Sequence, residues 1–301
     1  MKTSTLGIIF FVFFSSESLF AQVGQTGFSF LKIGVGSRAL SMGEAATAAA
    51  IDPSATHYNP AALSLSASSQ LLLMHREWIQ DSQTDYIGAT TSAGRIRLGI
   101  AVNSTSIDNI EVRTTPGPAQ STFTARNASL GLSAAYDISP DLSVGTTGKF
   151  LYEKILIDEA SGFAFDIGAI YRTSFNVILG AAINNLGSVS ELRDAASKLP
   201  TIFRFGGAYQ SSLKNIDGVF TGSADIVAMS GENKSHLHFG GEMEFKKMFA
   251  VRAGFQTGYE AKNVSAGVGL RQGILRFDYA FIPFSFDLGS THTISVGIDF
   301  P

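Results

Sequence analysis

Three groups of residues in this chain have types and spacings that bear on chemistry. The first lies between His236 and Glu244, where His236, His238, Glu242 and Glu244 fall on even positions of one short stretch. In an extended strand such residues share a face about 7 Å apart, near enough for two imidazoles to chelate a metal with help from a neighbouring strand. The second is Gly34-Val35-Gly36-Ser37-Arg38-Ala39, a match to G-x-G-x-x-A. That pattern cradles a dinucleotide only when a parallel strand leads into it and a βαβ unit follows, and neither is present here. Its glycines are therefore read as shaping a turn. The third is a set of mixed charges, Asp166, Arg204, Asp225, Glu242, Arg252, Arg271, Arg276, Asp278 and Asp299, spread over the second half of the chain. Nucleophilic catalysis has no footing. There is no G-x-S-x-G elbow, and His57, His75, His236, His238 and His292 have no evident Ser or Asp partner motif. No enzymatic activity, cofactor or metal is expected, and the two histidines are read as ordinary polar-face residues.

The elements that carry these residues have a period of two. In Gly162 to Arg172, Phe163, Phe165, Ile167, Ala169 and Tyr171 share one face, and Ala164, Asp166, Gly168, Ile170 and Arg172 share the other. Leu237 to Phe245 alternates in the same way, as do Phe249 to Gln256 and Val264 to Arg271. The polar face is rich in Gly, Ser and Thr, and every member of the charge set projects from it. From about Ser69 onward the pattern gives fourteen segments, near 69–78, 85–92, 95–104, 124–138, 141–155, 161–172, 175–185, 201–211, 217–229, 235–245, 248–257, 262–271, 274–283 and 291–300. Every second connection is tight, as at Ala93-Gly94, Thr173-Ser174 and Gln272-Gly273. The others are mostly longer, reaching from about Thr105 to Phe123 and from about Leu186 to Pro200.

Two architectures alternate like this. A soluble sandwich turns a charged face outward, but only 16% of the residues are charged and the polar face is the small one. A membrane barrel turns the apolar face to lipid and the polar face to the lumen. Its strands of about ten residues match the bilayer, and its turns are short on the periplasmic side and longer outside. The fold expected is all-β, a 14-stranded antiparallel transmembrane β-barrel with a small, partly helical N-terminal hatch in its lumen. Closure leaves no edge strand, and every backbone polar group is paired in lipid. A charge on the lipid face would cost about 2–4 kcal/mol at mid-membrane, so the nine charges point inward. There they pair across the lumen as a network.

The termini fit export. Lys2, the apolar run Leu6 to Phe14 and Ala21 before Gln22 have the layout of a signal peptide, residues 1–21. The run is too short for a transmembrane helix. The chain has no cysteine, which excludes disulfides and thiolate metal sites. A net charge of -3 gives no footprint for nucleic acid. An even number of strands puts both termini in the periplasm of a bacterial outer-membrane protein. The last strand, His292 to Phe300, ends on a lipid-facing aromatic, Phe300.

Residues 22–68 precede the barrel, 69–301, and lack its alternation after Gly43. Glu44 to Ile51 is alanine-rich and helix-competent, Asp52-Pro53 ends it, and Asn59-Pro60 makes a turn that can start another helical turn. A fourteen-stranded barrel is wider than side chains alone fill, so this segment is read as a plug. Here a resemblance appears. G-S-R-A-L-S-M-G-E-A followed by D-P-S-A-T-H-Y-N-P-A-A-L resembles the N-terminal hatch of the FadL-like outer-membrane proteins, and with F-L-K-I-G-V ahead of it, the PorV/PorQ family. The matching motif residues are Arg38, Met42, Gly43, Asp52, Asn59, Pro60 and Ala61. The resemblance implies an accessory component of the type IX protein secretion system that binds a translocon or its secreted cargo without chemistry. The alternative it implies is a FadL-like transporter of hydrophobic small molecules. It also implies outer-membrane lipid as surroundings and the barrel-assembly machinery as the reader of Phe300.

Overall fold

The computed structural model describes residues 27–300 except 67, 79–81 and 193–197. The expected signal peptide lies outside these residues. Among them, fourteen antiparallel strands form one closed barrel, each paired with its sequence neighbours and the last with the first. They are β1 (Ser69–Glu77), β2 (Ser82–Ala93), β3 (Ile96–Val112), β4 (Ser121–Asp137), β5 (Leu142–Ile155), β6 (Asp158–Arg172) and β7 (Val177–Val189). The rest are β8 (Ile202–Leu213), β9 (Gly218–Met229), β10 (His236–Phe245), β11 (Phe249–Gln256), β12 (Val264–Gln272), β13 (Leu275–Pro283) and β14 (Ser290–Phe300). The seam pairs Ser69 with Phe300 and Glu77 with His292.

The side chains divide as the alternation predicts. On β6, Phe163, Phe165 and Ile167 face out, 63%, 56% and 56% exposed, while Ala164, Asp166 and Ile170 are buried. No helix among the described residues is long and apolar enough to cross a membrane.

The wall is not level. β3 and β4 have 17 residues each, and β12 and β13 have nine. At about 3.3 Å per residue and a tilt of about 40°, the first pair rises about 43 Å and the second about 23 Å. The long connection expected from Thr105 to Phe123 is therefore mostly strand, with only residues 113–120 left as loop. Above the apolar band the outward residues become Ser104, Ser106 and Asp108, so the lipid-facing half of the pattern disappears although the ladder continues. At the same rim β5 and β6 join through only Leu156 and Ile157.

Inside lies the segment from Gly27 to Ser68. It holds two short helices, α1 (Ser37–Ser41) and α2 (Ala55–Tyr58), and 3-10 turns at Ser29–Lys32 and Pro60–Leu65. The alanine-rich stretch after Glu44 is not the helix its composition predicts. Gly43 and Glu44 both have left-handed backbone (φ 62° and 57°), which breaks the helix after α1. Ala45, Ala46, Ala48, Ala49 and Ala50 are all buried in turns between the wall strands. Tertiary packing overrides a weak local preference.

Ser69 and Phe300 lie at the tight-turn end of the barrel. The first hatch residues described lie at the opposite end. Phe28, Phe30 and Leu31 pack with Leu151, Leu199 and Val189, and Lys32 meets Glu232 in the β9–β10 loop. The expected periplasmic N-terminus lies outside the described residues.

Candidate functional site

The site is the joint between hatch and wall. The wall first makes room. Six inward glycines stand where the hatch presses on the sheet: Gly145 against Ala61, Gly168 against the Asn59 side chain, Gly180 against Thr47, Gly240 against Met42, Gly254 against Gly43 and Gly267 against the Ser41 side chain. A β-carbon at Gly240 would lie 2.5 Å from the Met42 carbonyl oxygen, and one at Gly180 2.6 Å from that of Thr47. No real side chain fits at those separations. The glycine-rich polar face is thus the imprint of the plug.

Charges then fasten it. The Arg38 guanidinium, buried on α1, donates through Nε and Nη2 to the two Glu242 oxygens at 2.9 and 2.6 Å, and through Nη1 to the Ala49 carbonyl at 2.7 Å. Glu242 also accepts from Arg252 Nε at 2.5 Å, and Arg252 Nη1 reaches Asp278 at 2.7 Å. Arg276 continues the chain to Asp278 at 3.3 Å, Asp299 at 3.5 Å and, in the hatch, Asp52 at 3.7 Å. Arg271 closes it on Asp299 at 2.9 Å. Six of the nine charges picked out by alternation thus form one relay on β10–β14, and two hatch-motif residues, Arg38 and Asp52, plug into it. Asp52 also accepts from the Ser54 amide at 2.9 Å, which sets the turn before α2.

The other three have separate tasks. Asp225 accepts from the Thr47 amide and hydroxyl at 2.9 and 2.7 Å. Arg204 lies over the Tyr58 ring, 5.2 Å from its centroid. Asp166 pairs with Lys149 at 2.7 Å and accepts from the Asn185 amide at 2.8 Å, holding a bulge between β6 and β7. Asn59 caps the turn it starts, accepting from the Ala61 amide at 3.0 Å. It also donates to Thr47 O at 2.9 Å and to Ala169 O of the wall at 3.2 Å. Pro60 is the first residue of the Pro60–Leu65 turn, buried with Ala61.

Sequence reading missed Lys149, Glu44 and Lys262. Lys262, in the β11–β12 loop, binds Glu44 of the hatch at 2.7 Å. Burial opposes ionisation of Glu44, but Lys262 and the neighbouring His238 hold its carboxyl well below the usual range. The Glu44–Lys262 contact joins residues 218 positions apart, and only the register brings them together.

The remaining motifs resolve simply. His236 meets Glu232 at 2.8 Å and stacks on Tyr259, while His238 meets the Tyr259 hydroxyl at 3.1 Å. Glu242 is committed to arginines and Glu244 sits near the tight-turn end. Among the described residues no group of three or more metal-ligating side chains is assembled. In the glycine motif, the Val35 amide and carbonyl both bond the Tyr58 hydroxyl, at 3.1 and 3.0 Å, and the Ser37 amide donates to Ser295 Oγ at 3.0 Å. The Val35 groups tie the hatch to itself and the Ser37 amide ties it to β14, so these groups do not cradle a phosphate. Beside the half-buried His57 a cavity of about 20 Å³ remains, room for a single water.

The closed 14-stranded barrel matches the fold of FadL-type outer-membrane barrels. The toluene transporter TodX of P. putida superposes with a TM-score of 0.61 at 12% identity, covering 89% of this chain and 99% of that one. The CymD monoaromatic hydrocarbon channel gives 0.60 at 13%, covering 88% and 96%. A Pseudomonas aeruginosa FadL homologue gives 0.56 at 12%, covering 89% and 98%. The chain belongs to a family of unknown function, DUF5723, whose model matches residues 91–268. The model of an uncharacterised protein family, UPF0164, matches residues 15–164. No curated protein matches the sequence.

Proposed function

We propose that this chain is a gated outer-membrane channel for small hydrophobic molecules, with the hatch as the gate and no catalytic step. The observation that carries this is the fastening of the hatch by polar contacts to the wall, in a fold whose solved neighbours are named as hydrocarbon channels. Ion pairs and hydrogen bonds of this kind exchange partners without breaking the sheet. Residues 1–21 direct export, 22–68 form the gate and 69–301 the barrel. The tight turns and Phe300 face the periplasm, where the barrel-assembly machinery reads the terminal aromatic. The test is uptake of a radiolabelled aromatic hydrocarbon and of a medium-chain fatty acid by intact cells with and without the protein. Faster uptake with the protein supports the proposal. Equal uptake of both probes overturns it.

One feature favours a second assignment, an accessory barrel of type IX secretion like the PorV/PorQ proteins. The β3–β6 wall stands above the apolar band, and its β5–β6 tip exposes Ile155, Leu156 and Ile157, the last 76% exposed. A protein partner would cover such a tip. Mild-detergent purification that retains a large translocon or secreted cargo would select this role over transport.

A further inference from the structure

We propose that the outer surface of β8–β11 binds one anionic phospholipid from the leaflet beside the tight turns. Its phosphate is held by Lys214, Lys246 and Lys247, and an acyl chain lies in the groove directly above them.

The groove is one half of the case. It is an open depression of about 700 Å³ on the lipid-facing wall. Tyr209, Phe220, Phe239 and Phe255 stand along it as walls, all partly exposed, and Gly241 and Ala253 lie between them as floor. No charged side chain lines it. It crosses β8 to β11 at the level of Tyr209, Phe220, Phe239 and Phe255, and its volume falls within the range of small-molecule sites.

The turns at its foot are the other half. The β8–β9 turn carries Lys214 and Ile216, and the β10–β11 turn carries Lys246, Lys247 and Met248, all exposed. The Lys246 amide donates to Asp217 O at 2.7 Å and joins the two turns. Gly218 pairs with Phe245, so Phe220 stands two residues, about 7 Å, above the lysines. Lys246 and Lys247 both have left-handed backbone, φ 50° and 54°, in a turn closed by the Met248 amide on Phe245 O. Asn-Gly fills that geometry at least cost, and two lysines there are strained. Lys214, Lys246 and Lys247 outnumber the two nearby carboxylates, Asp217 and Glu244, and Glu244 lies on the lumen-facing side of β10. The exposed Ile216 and Met248 beside them suit the depth of the headgroups. Charge also argues against a second copy as occupant, because a twofold contact would bring these lysines face to face.

The experiment is native mass spectrometry of the full chain released from detergent with phosphatidylglycerol or phosphatidylcholine of the same acyl chains. The wild type should keep the anionic lipid preferentially. Lys246→Asn with Lys247→Gly removes both charges and relaxes the turn, and should lower its occupancy about fivefold per lysine. Gly241→Leu fills the groove where a β-carbon meets nothing within 4 Å, so it folds, and it should lower retention of both lipids. Unchanged heat-modifiable mobility confirms that both variants are folded. Equal retention of the two lipids by the wild type overturns the proposal, as does unchanged retention by both variants. A dimer dispersed by Gly241→Leu would assign the groove to a second copy and also overturn it.

Discussion

Arg38→Ala should unfasten the gate without unfolding the barrel. Arg38 makes three charge-assisted hydrogen bonds, two to Glu242 and one to Ala49 O, and its side chain is 7% exposed. Breaking a buried ion pair costs about 3–5 kcal/mol, mostly because the surviving charge is stranded. Glu242 is not fully stranded, since Arg252 still donates to it at 2.5 Å. The lower figure therefore applies, about 3 kcal/mol, or about a hundredfold in the population of released hatch at 1.4 kcal/mol per tenfold. Hydrogen exchange reads this directly. The Thr47 amide, bonded to Asp225 in the closed state, should lose about two orders of magnitude of protection. Ladder amides such as those of β5 and β6 should not change. Equal loosening of hatch and ladder would refute the separation of gate from wall. Unchanged Thr47 protection would refute the role of Arg38 as a latch.

Other consequences follow from the same contacts. Gly168→Val places a side chain where Asn59 lies, an overpacking cost of about 1–3 kcal/mol, and should raise single-channel conductance while the barrel keeps its heat-modifiable mobility. Asn59→Ala removes the cap on Ala61 and the bond to the wall, and should lower the hatch melting transition by about 1–2 kcal/mol, read by calorimetry beside an unchanged barrel transition. The Glu44–Lys262 strap has a defined pH sign. With its folded pKa depressed below 4.5, Glu44 contributes stability in full above that value, and loses it only as pH falls through the lower folded value. Conductance should therefore stay flat from about pH 7 to about pH 5, and opening within that window would refute the strap as the pH-sensitive contact.

The barrel was legible because a lipid-facing apolar residue alternates with a small or polar one wherever strand meets membrane. The nine inward charges were legible for the same reason, whereas the hatch motif was read from its resemblance to FadL-like hatches. What alternation cannot carry is register. Arg38 and Glu242 are 204 residues apart, and Glu44 and Lys262 218, so the network was seen as two separate sets. The upper part of β3 was hidden because Ser104, Ser106 and Asp108 face water there. The helix expected after Glu44 gave way to wall contacts that composition does not report. The glycines of the polar face were noted, but their purpose emerges only where Met42, Gly43 and Thr47 rest against them.

The most direct test of the gate uses the absence of cysteine from the chain. Ser37 Oγ of the hatch and Ser295 Oγ of β14 are 2.8 Å apart, so Ser37→Cys with Ser295→Cys places two thiols within bridging reach. Uptake of a labelled aromatic hydrocarbon by cells carrying this variant would be measured before and after a membrane-impermeant reductant. A gate predicts little uptake while the bridge is closed and wild-type uptake once it is reduced. Equal uptake in both states, at the wild-type rate, would contradict passage controlled by the hatch.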